Sequence, residues 1–194
     1  LECDVKLMKY RTVKTKGKEL YQLVFDKSPF YAESGGQAGD SGQIVSESGE
    51  TVNILNTIKE NNLNIHLADR IPVDKDVTFH ASVDGLKREE TAANHTATHL
   101  LHFALRQILG THIEQKGSSV TSGSFRFDFS HFEKISEEHL REVEKLVNKL
   151  IRQDIHREEF REFPIDQARE MGAMARFGEK YGDKVRVIKY GDSV

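Results

Sequence analysis

The hydrophobic pattern of this chain changes period once, at Asp84, and that change limits the folds open to it. Before Asp84, apolar residues alternate with polar ones in short runs, the signature of half-buried strands. Six such runs stand at residues 5–13, 19–26, 43–48, 50–58, 63–68 and 76–83. Lys16-Gly17-Lys18 lies between the first two runs and Gly49 between the next two, as hairpin turns would, and Asn61-Asn62 precedes the fifth. Six short strands with no helical period among them predict a small antiparallel β-barrel or curled sheet. From Asp84, a suitable N-cap, the spacing becomes helical and stays so over residues 85–109, until Gly110 supplies a stop.

The rest of the chain mixes both periods. Strands are predicted at 112–116 and 124–130. In the second of these, Phe125, Phe127 and Phe129 share one face while Arg126, Asp128 and Ser130 share the other. Regular alternation of that kind reads as a buried face, not as a platform for stacked bases. Ser136 is placed to cap a helix over 137–152, with Leu140, Val143, Val147, Leu150 and Ile151 as its inner stripe. An alternating strand follows at 155–163 and ends at Pro164. Asp166 could cap a short helix to 171, residues 177–183 read as a glycine-containing turn, and 184–190 as a last strand packed through Val185, Val187 and Tyr190. The predicted class is therefore α+β. A barrel subdomain, residues 1–83, is followed by an α+β subdomain, residues 84–194, with a long helix laid on a sheet.

Composition narrows the function. A chain of 194 residues, 37% hydrophobic and 30% charged, is that of a soluble protein with a heavily charged surface. A net charge of -3 argues against binding nucleic acid by overall charge and leaves only a local basic face. No apolar run is long enough to cross a membrane as a helix, and the N-terminus lacks the pattern of a signal peptide. The start at Leu1 fits a piece of a longer chain. Cys3 is the one cysteine, so no internal disulfide can form and a reducing compartment, the cytoplasm, is expected.

Two stretches carry chemistry. His95 and His99 stand four apart in the long helix, where one turn separates side chains on the same face. Neutral imidazoles so placed can share a zinc ion, although the glutamate of the better-known helical zinc motif is missing. Two histidines at this spacing also arise by chance. The neighbours Asn94, Thr98 and His102 would face a solvent-filled cleft, while Ala97, Leu100, Leu101, Ala104, Leu105 and Ile108 form a separate stripe toward the core. The second stretch, residues 28–42, holds four of the chain's 14 glycines in its last eight residues. Such a loop can lie close against a ligand or a neighbouring element, or simply connect two strands. It lacks the spacing of a dinucleotide fingerprint.

Four segments together resemble a known family, the alanyl-tRNA synthetases, and within it the editing domain. They are Phe30-Tyr31-Ala32-Glu33-Ser34-Gly35-Gly36-Gln37, Asn94-His95-Thr96-Ala97-Thr98-His99-Leu100-Leu101, the run from Gly110-Thr111-His112 through Gln115-Lys116-Gly117-Ser118 to Phe125-Arg126-Phe127-Asp128-Phe129-Ser130-His131, and Phe177-Gly178-Glu179-Lys180-Tyr181-Gly182. Threonyl-tRNA synthetases carry a similar histidine helix, but the Gly-Gly-Gln loop and the phenylalanine strand resemble the alanyl type. Arg176 departs from the apolar residue usual at that position.

The resemblance implies a barrel followed by an α+β part, with an editing cleft near their junction. It implies hydrolysis of serine or glycine wrongly esterified to the 3′ end of alanine tRNA. A pocket built for alanine cannot exclude glycine by size and discriminates weakly against one added hydroxyl, so a second site must sort. It implies zinc on His95 and His99, joined by a Cys and a His from a motif that the family reaches a few residues beyond Val194. Half of that ligand set lies outside this sequence, so metal binding by this chain alone is expected to be weak or absent, with His102 the one nearby substitute. The resemblance also implies editing-pocket roles for Thr98 and Gln115, and Gln37 would close the cleft from the barrel side. The parent synthetase would use ATP and magnesium in its aminoacylation domain. Expected partners are the alanine tRNA 3′ end and the remainder of the parent chain, with neither DNA nor membrane. Two other readings stay open. One is a tRNA-docking module using Lys6, Lys9, Arg11, Lys14, Lys16 and Lys18; the other is a free-standing editing hydrolase of the same family.

Overall fold

The computed structural model describes residues 1–15, 18–173 and 182–191. The Lys16-Gly17 turn, Arg176, most of the Phe177–Gly182 segment and the last three residues fall outside the described residues. The first six strands are β1 (Glu2–Thr15), β2 (Lys18–Phe25), β3 (Gly42–Ser46), β4 (Thr51–Glu60), β5 (Leu63–Ala68) and β6 (Thr78–Val83). They close into an antiparallel barrel in the order β1-β2-β5-β4-β3-β6. Closure depends on β1, which is long enough to serve two neighbours. Its first part, Glu2 to Lys6, pairs with β6, and its second part, from Leu7 onward, pairs with β2. A register shift between Leu7 and Lys9 lies just past that change of partner, and such irregularities bend a strand and increase its twist. The β4–β5 turn uses Asn61 and Asn62 at positive φ (48° and 65°), the conformation a tight hairpin needs and asparagine tolerates.

Inward residues of every strand fill the barrel. Val5, Leu23, Phe25, Ile44, Val52, Ile54, Ala68, Phe79 and Ala81 form one buried cluster, joined by Phe30 from the glycine loop. A titratable side chain shares this interior. His66 on β5 is 1% exposed, and its ring lies 4.8 Å from that of Phe25 and 5.3 Å from that of Phe30. Both nitrogens are satisfied by neutral-imidazole chemistry: Nδ1–H donates to the Leu23 carbonyl at 3.1 Å, and Nε2 accepts from the Ser28 hydroxyl at 2.7 Å.

Helix α1 (Gly85–Leu109) begins after Asp84, whose carboxylate accepts from the Lys87 N–H at 3.2 Å. Gly110, at φ +115°, ends it. Then come β7 (Gln115–Val120), β8 (Phe125–Phe129), α2 (Glu137–Arg152), β9 (Arg157–Pro164), α3 (Ile165–Glu170) and β10 (Lys184–Tyr190). β7 pairs with β8, and β9 with β10, as two two-stranded sheets. The chain forms two compact units, one of residues 1–96 with 118–126 and the other of residues 97–117 with 127–194. The barrel strands end at Val83, but the division between units falls inside α1, β7 and β8. The second unit has its own core of Ala104, Leu105, Ile113 and Val143, with Leu101, Ile108, Phe127, Phe129, Leu146 and Val147 packed around it.

Three local expectations shift. The strand predicted at 112–116 starts only at Gln115, because the Arg106 guanidinium takes the carbonyls of Thr111 and Ile113, both at 2.9 Å, that a ladder would need. On α2, Ser136 caps as predicted, accepting from the His139 N–H at 3.1 Å, but Leu140 and Ile151 are about half exposed. The buried stripe is confined to the middle of that helix. The N-cap of α3 is Pro164, with no side-chain hydrogen bond, where Asp166 was expected.

Burial in the barrel lowers the His66 pKa to about 4, against a smaller raising effect of its bond to Leu23. A folded value below the unfolded one means the fold prefers the neutral ring. This stabilisation is complete above pH about 6.5 and is lost as pH falls toward 4, by about 3 kcal/mol in all. Urea unfolding followed by circular dichroism should show that decline between these limits, and the His66→Gln variant should lack it.

Candidate functional site

The glycine loop is built into the first unit from three sides. From β4, the Thr57 hydroxyl donates to the Asp40 carbonyl at 3.0 Å, and the Thr57 carbonyl accepts from the Glu33 N–H at 2.8 Å. From β7, Val120 exchanges backbone bonds with the loop: its N–H donates to Gly36 O at 2.8 Å and its carbonyl accepts from Ala38 N–H at 2.9 Å. Gln37 therefore sits opposite Val120 as an isolated parallel bridge. From α1, Arg88 grips Asp40 with two donors. Nε bonds Oδ1 at 2.8 Å, and the second guanidinium nitrogen bonds Oδ2. Asp40, 7% exposed, also accepts from the Tyr31 N–H at 2.7 Å. Its carboxylate raises the Arg88 pKa further above its usual value, chiefly through that hydrogen bond. Gly36 is required where it stands. Its φ is +84°, and a Cβ there would meet the Ser118 carbonyl oxygen at 2.5 Å.

These restraints deliver Gln37, 8% exposed, to the histidine helix. Its Oε1 lies 2.6 Å from Nδ1 of His95. From the residue just before His95, the Asn94 amide donates to the carbonyls of Thr121 and Ser122, both at 2.9 Å, tying the β7–β8 turn to the same helix. Of the residues singled out in the sequence, the structure thus brings Gln37 and His95 into contact. Thr98, His99 and Gln115 belong to the second unit. Thr98 is 5% exposed, so it is buried rather than facing an open cleft. His99, the next residue of α1, is exposed, and Gln115 opens β7 half-buried.

The donor set suits a metal in part. With Nδ1–H given to Gln37, the lone pair of His95 sits on Nε2, the arrangement that oriented ligand imidazoles adopt. His99 follows one turn along the same continuous helix. Among the described residues, no group of three or more His, Cys, Asp or Glu side chains is placed to hold a metal ion. His102 is directed elsewhere. Its ring packs 5.2 Å from that of Phe127, and its Nε2 is buried with no hydrogen-bond partner among the described residues. Burial lowers its pKa, an effect that a bond to the Ile113 backbone opposes and nearby Arg106 reinforces.

Sequence reading missed Arg88, Asp40, Ser28 and His66. An acidic residue inside a glycine-rich loop was the available signal for Asp40; nothing in the spacing joined it to Arg88, 48 residues on. The row of basic residues on β1 and β2 is partly neutralised. Arg11 lies 3.3 Å from Glu60, and Lys14 lies 3.5 Å from Glu19. Among the described residues, no helix is long and apolar enough to cross a membrane.

Comparison with known proteins fits this geometry. The family model described as class II tRNA synthetases (A) matches residues 3–85, which covers the barrel and its glycine loop. Along its entire length the chain is similar to alanine-tRNA ligases. It is 56% identical to that of Porphyromonas gingivalis and 54% identical to that of Bacteroides thetaiotaomicron, in each case over 193 residues, 100% of this chain and 22% of the relative. Against the Cytophaga hutchinsonii protein, 54% identity holds over 188 residues, 97% of this chain and 21% of the relative. Over residues 3–85 the chain is thus similar to class II tRNA synthetases. Within that class, its full-length likeness is to one segment of alanine-tRNA ligase, and the chain spans about a fifth of the length of those relatives.

The Asp40 pair yields a stability test. Arg88→Met leaves a buried carboxylate without its cation and should cost about 3 kcal/mol. Lys87→Ala removes an exposed pair with Asp84 and a 3.3 Å bond to the Ser41 hydroxyl, and should cost under about 1 kcal/mol. Parallel urea titrations of the two variants measure the difference.

Proposed function

We propose that this chain is the editing segment of an alanine-tRNA ligase, hydrolysing the ester that joins serine or glycine to alanine tRNA. The observation that carries this reading is the pair of helix histidines with His95 held by Gln37 of the glycine loop. The full-length likeness to alanine-tRNA ligases supports it. The parent activity, joining alanine to its tRNA with ATP and magnesium, would belong to other parts of those longer proteins.

In this reading His95 and His99 would hold zinc, with further ligands from outside this sequence. A bound zinc would supply positive charge to polarise the ester carbonyl or a water, or to anchor the substrate amino group. The chain's own residues do the sorting and placement. Thr98, buried on α1, and Gln115, at the start of β7, would offer hydroxyl and carboxamide groups to the amino-acid side chain. Serine can satisfy such groups where alanine leaves them unpaired, a form of discrimination that buried polar groups enforce strongly. The reaction is written with water as the nucleophile. Water adds to the ester carbonyl, the bond to the ribose oxygen breaks, and the amino acid leaves as its carboxylic acid while the ribose hydroxyl regains a proton.

The docking-module reading has less support, since carboxylates already neutralise Arg11 and Lys14. Single-turnover release of serine from mischarged alanine tRNA, in added zinc, tests the main reading. The chain extended through the missing Cys and His should cleave, and His95→Ala in it should lower the rate by at least about 100-fold. The chain alone should be slower. If neither form cleaves yet both bind tRNA in a salt-sensitive way, the docking module takes its place.

A further inference from the structure

We propose that Gln37 is a positioning residue that fixes His95 in its Nδ1–H tautomer, leaving Nε2 as the nitrogen with the lone pair. This deepens the function proposed above by assigning how one histidine of that site is prepared, and it rests on that reading only for its purpose. Gln37 and His95 both belong to the first unit. The Gln37 Oε1 to His95 Nδ1 distance of 2.6 Å is that of a short hydrogen bond, and a carboxamide oxygen can only accept. The imidazole must therefore donate from Nδ1.

The position of that oxygen is not left to a mobile side chain. Gln37 is 8% exposed, and its backbone is clamped to β7 by the two Val120 bonds on either side. Gly36 lets the loop run so close to β7 that a Cβ there would lie 2.5 Å from the Ser118 carbonyl oxygen. Three residues on, the Arg88 to Asp40 pair fastens the loop to the same helix that carries His95, two turns before it. Loop and imidazole are thus referenced to one rigid element. A ring held in one tautomer needs no rearrangement before its other nitrogen takes a metal or accepts a proton.

The test reads the tautomer directly, on the free chain without metal or tRNA. Long-range proton–nitrogen NMR correlations of the His95 ring, at about pH 8 where an ordinary imidazole is neutral, should show Nδ1–H in the natural sequence. Gln37→Met keeps the bulk but removes the acceptor and should move the ring to mainly Nε2–H. Gln37→Glu restores an acceptor and should restore Nδ1–H. If His95 carries its proton on Nε2 in the natural sequence, or if Gln37→Met leaves the tautomer unchanged while backbone amide signals of the barrel show an intact fold, the assignment is wrong. A residue that merely packed the loop would change stability and not the ring. Deacylation is measured separately, so a failed tautomer shift leaves the editing reading standing, and a failed deacylation leaves the tautomer result intact.

Discussion

A carboxylate 7% exposed is tenable only with its charge matched, and at Asp40 that match comes from Arg88 of α1. Desolvating either ion alone is costly, whereas a two-donor guanidinium with an added backbone N–H recovers most of the loss. The pair does more than balance itself. It joins the glycine loop, which local sequence leaves free to take many shapes, to the first turns of a 25-residue helix. Other features of the first unit follow from that anchorage: the Tyr31 N–H is satisfied, the loop reaches Val120, and Gln37 arrives at His95.

The arrangement places Gln37 on supported backbone. Loops hold a side chain accurately only when a scaffold fixes them, and here the scaffold is a closed barrel with no exposed sheet edge on one side and α1 on the other. The buried His66 belongs to the same support. Its link to Ser28 ties the start of the loop into the barrel interior, next to Phe25 and Phe30. Burial holds that ring neutral until the pH falls toward about 4, so the barrel end of the loop is tied to a group whose charging the fold opposes.

The second unit is fastened differently. Its core is smaller, and Ile113, fully buried, is reached by a turn whose carbonyls Arg106 collects rather than by a strand. Phe127 and Phe129 stack at 5.9 Å and join that core. Thr98 and Gln115 stand on this unit, Gln37 and His95 on the other, with α1 and β7 contributing residues to both.

Much of this was legible in the residues themselves. The period-two runs before Asp84 and the helical spacing after it depend on nearest neighbours, so six strands, the bounds of α1 and the Ser136 cap of α2 could be read one segment at a time. The histidine pair was readable for the same reason, since four residues of helix put two side chains on one face whatever surrounds them. What the sequence could not decide were meetings across long stretches of chain. Arg88 with Asp40, Gln37 with His95 and Ser28 with His66 are separated by 48, 58 and 38 residues. No local propensity encodes such pairs; they arise only when the barrel closes and the helix docks. Strand ends followed the same rule, as Arg106 showed by taking the carbonyls that would have extended β7. Sequence alone determined which side chains could do chemistry, because that depends on residue type and helical pitch. Tertiary structure decided which proton each would carry and which charge each would face, because those depend on what folding brings within hydrogen-bond reach.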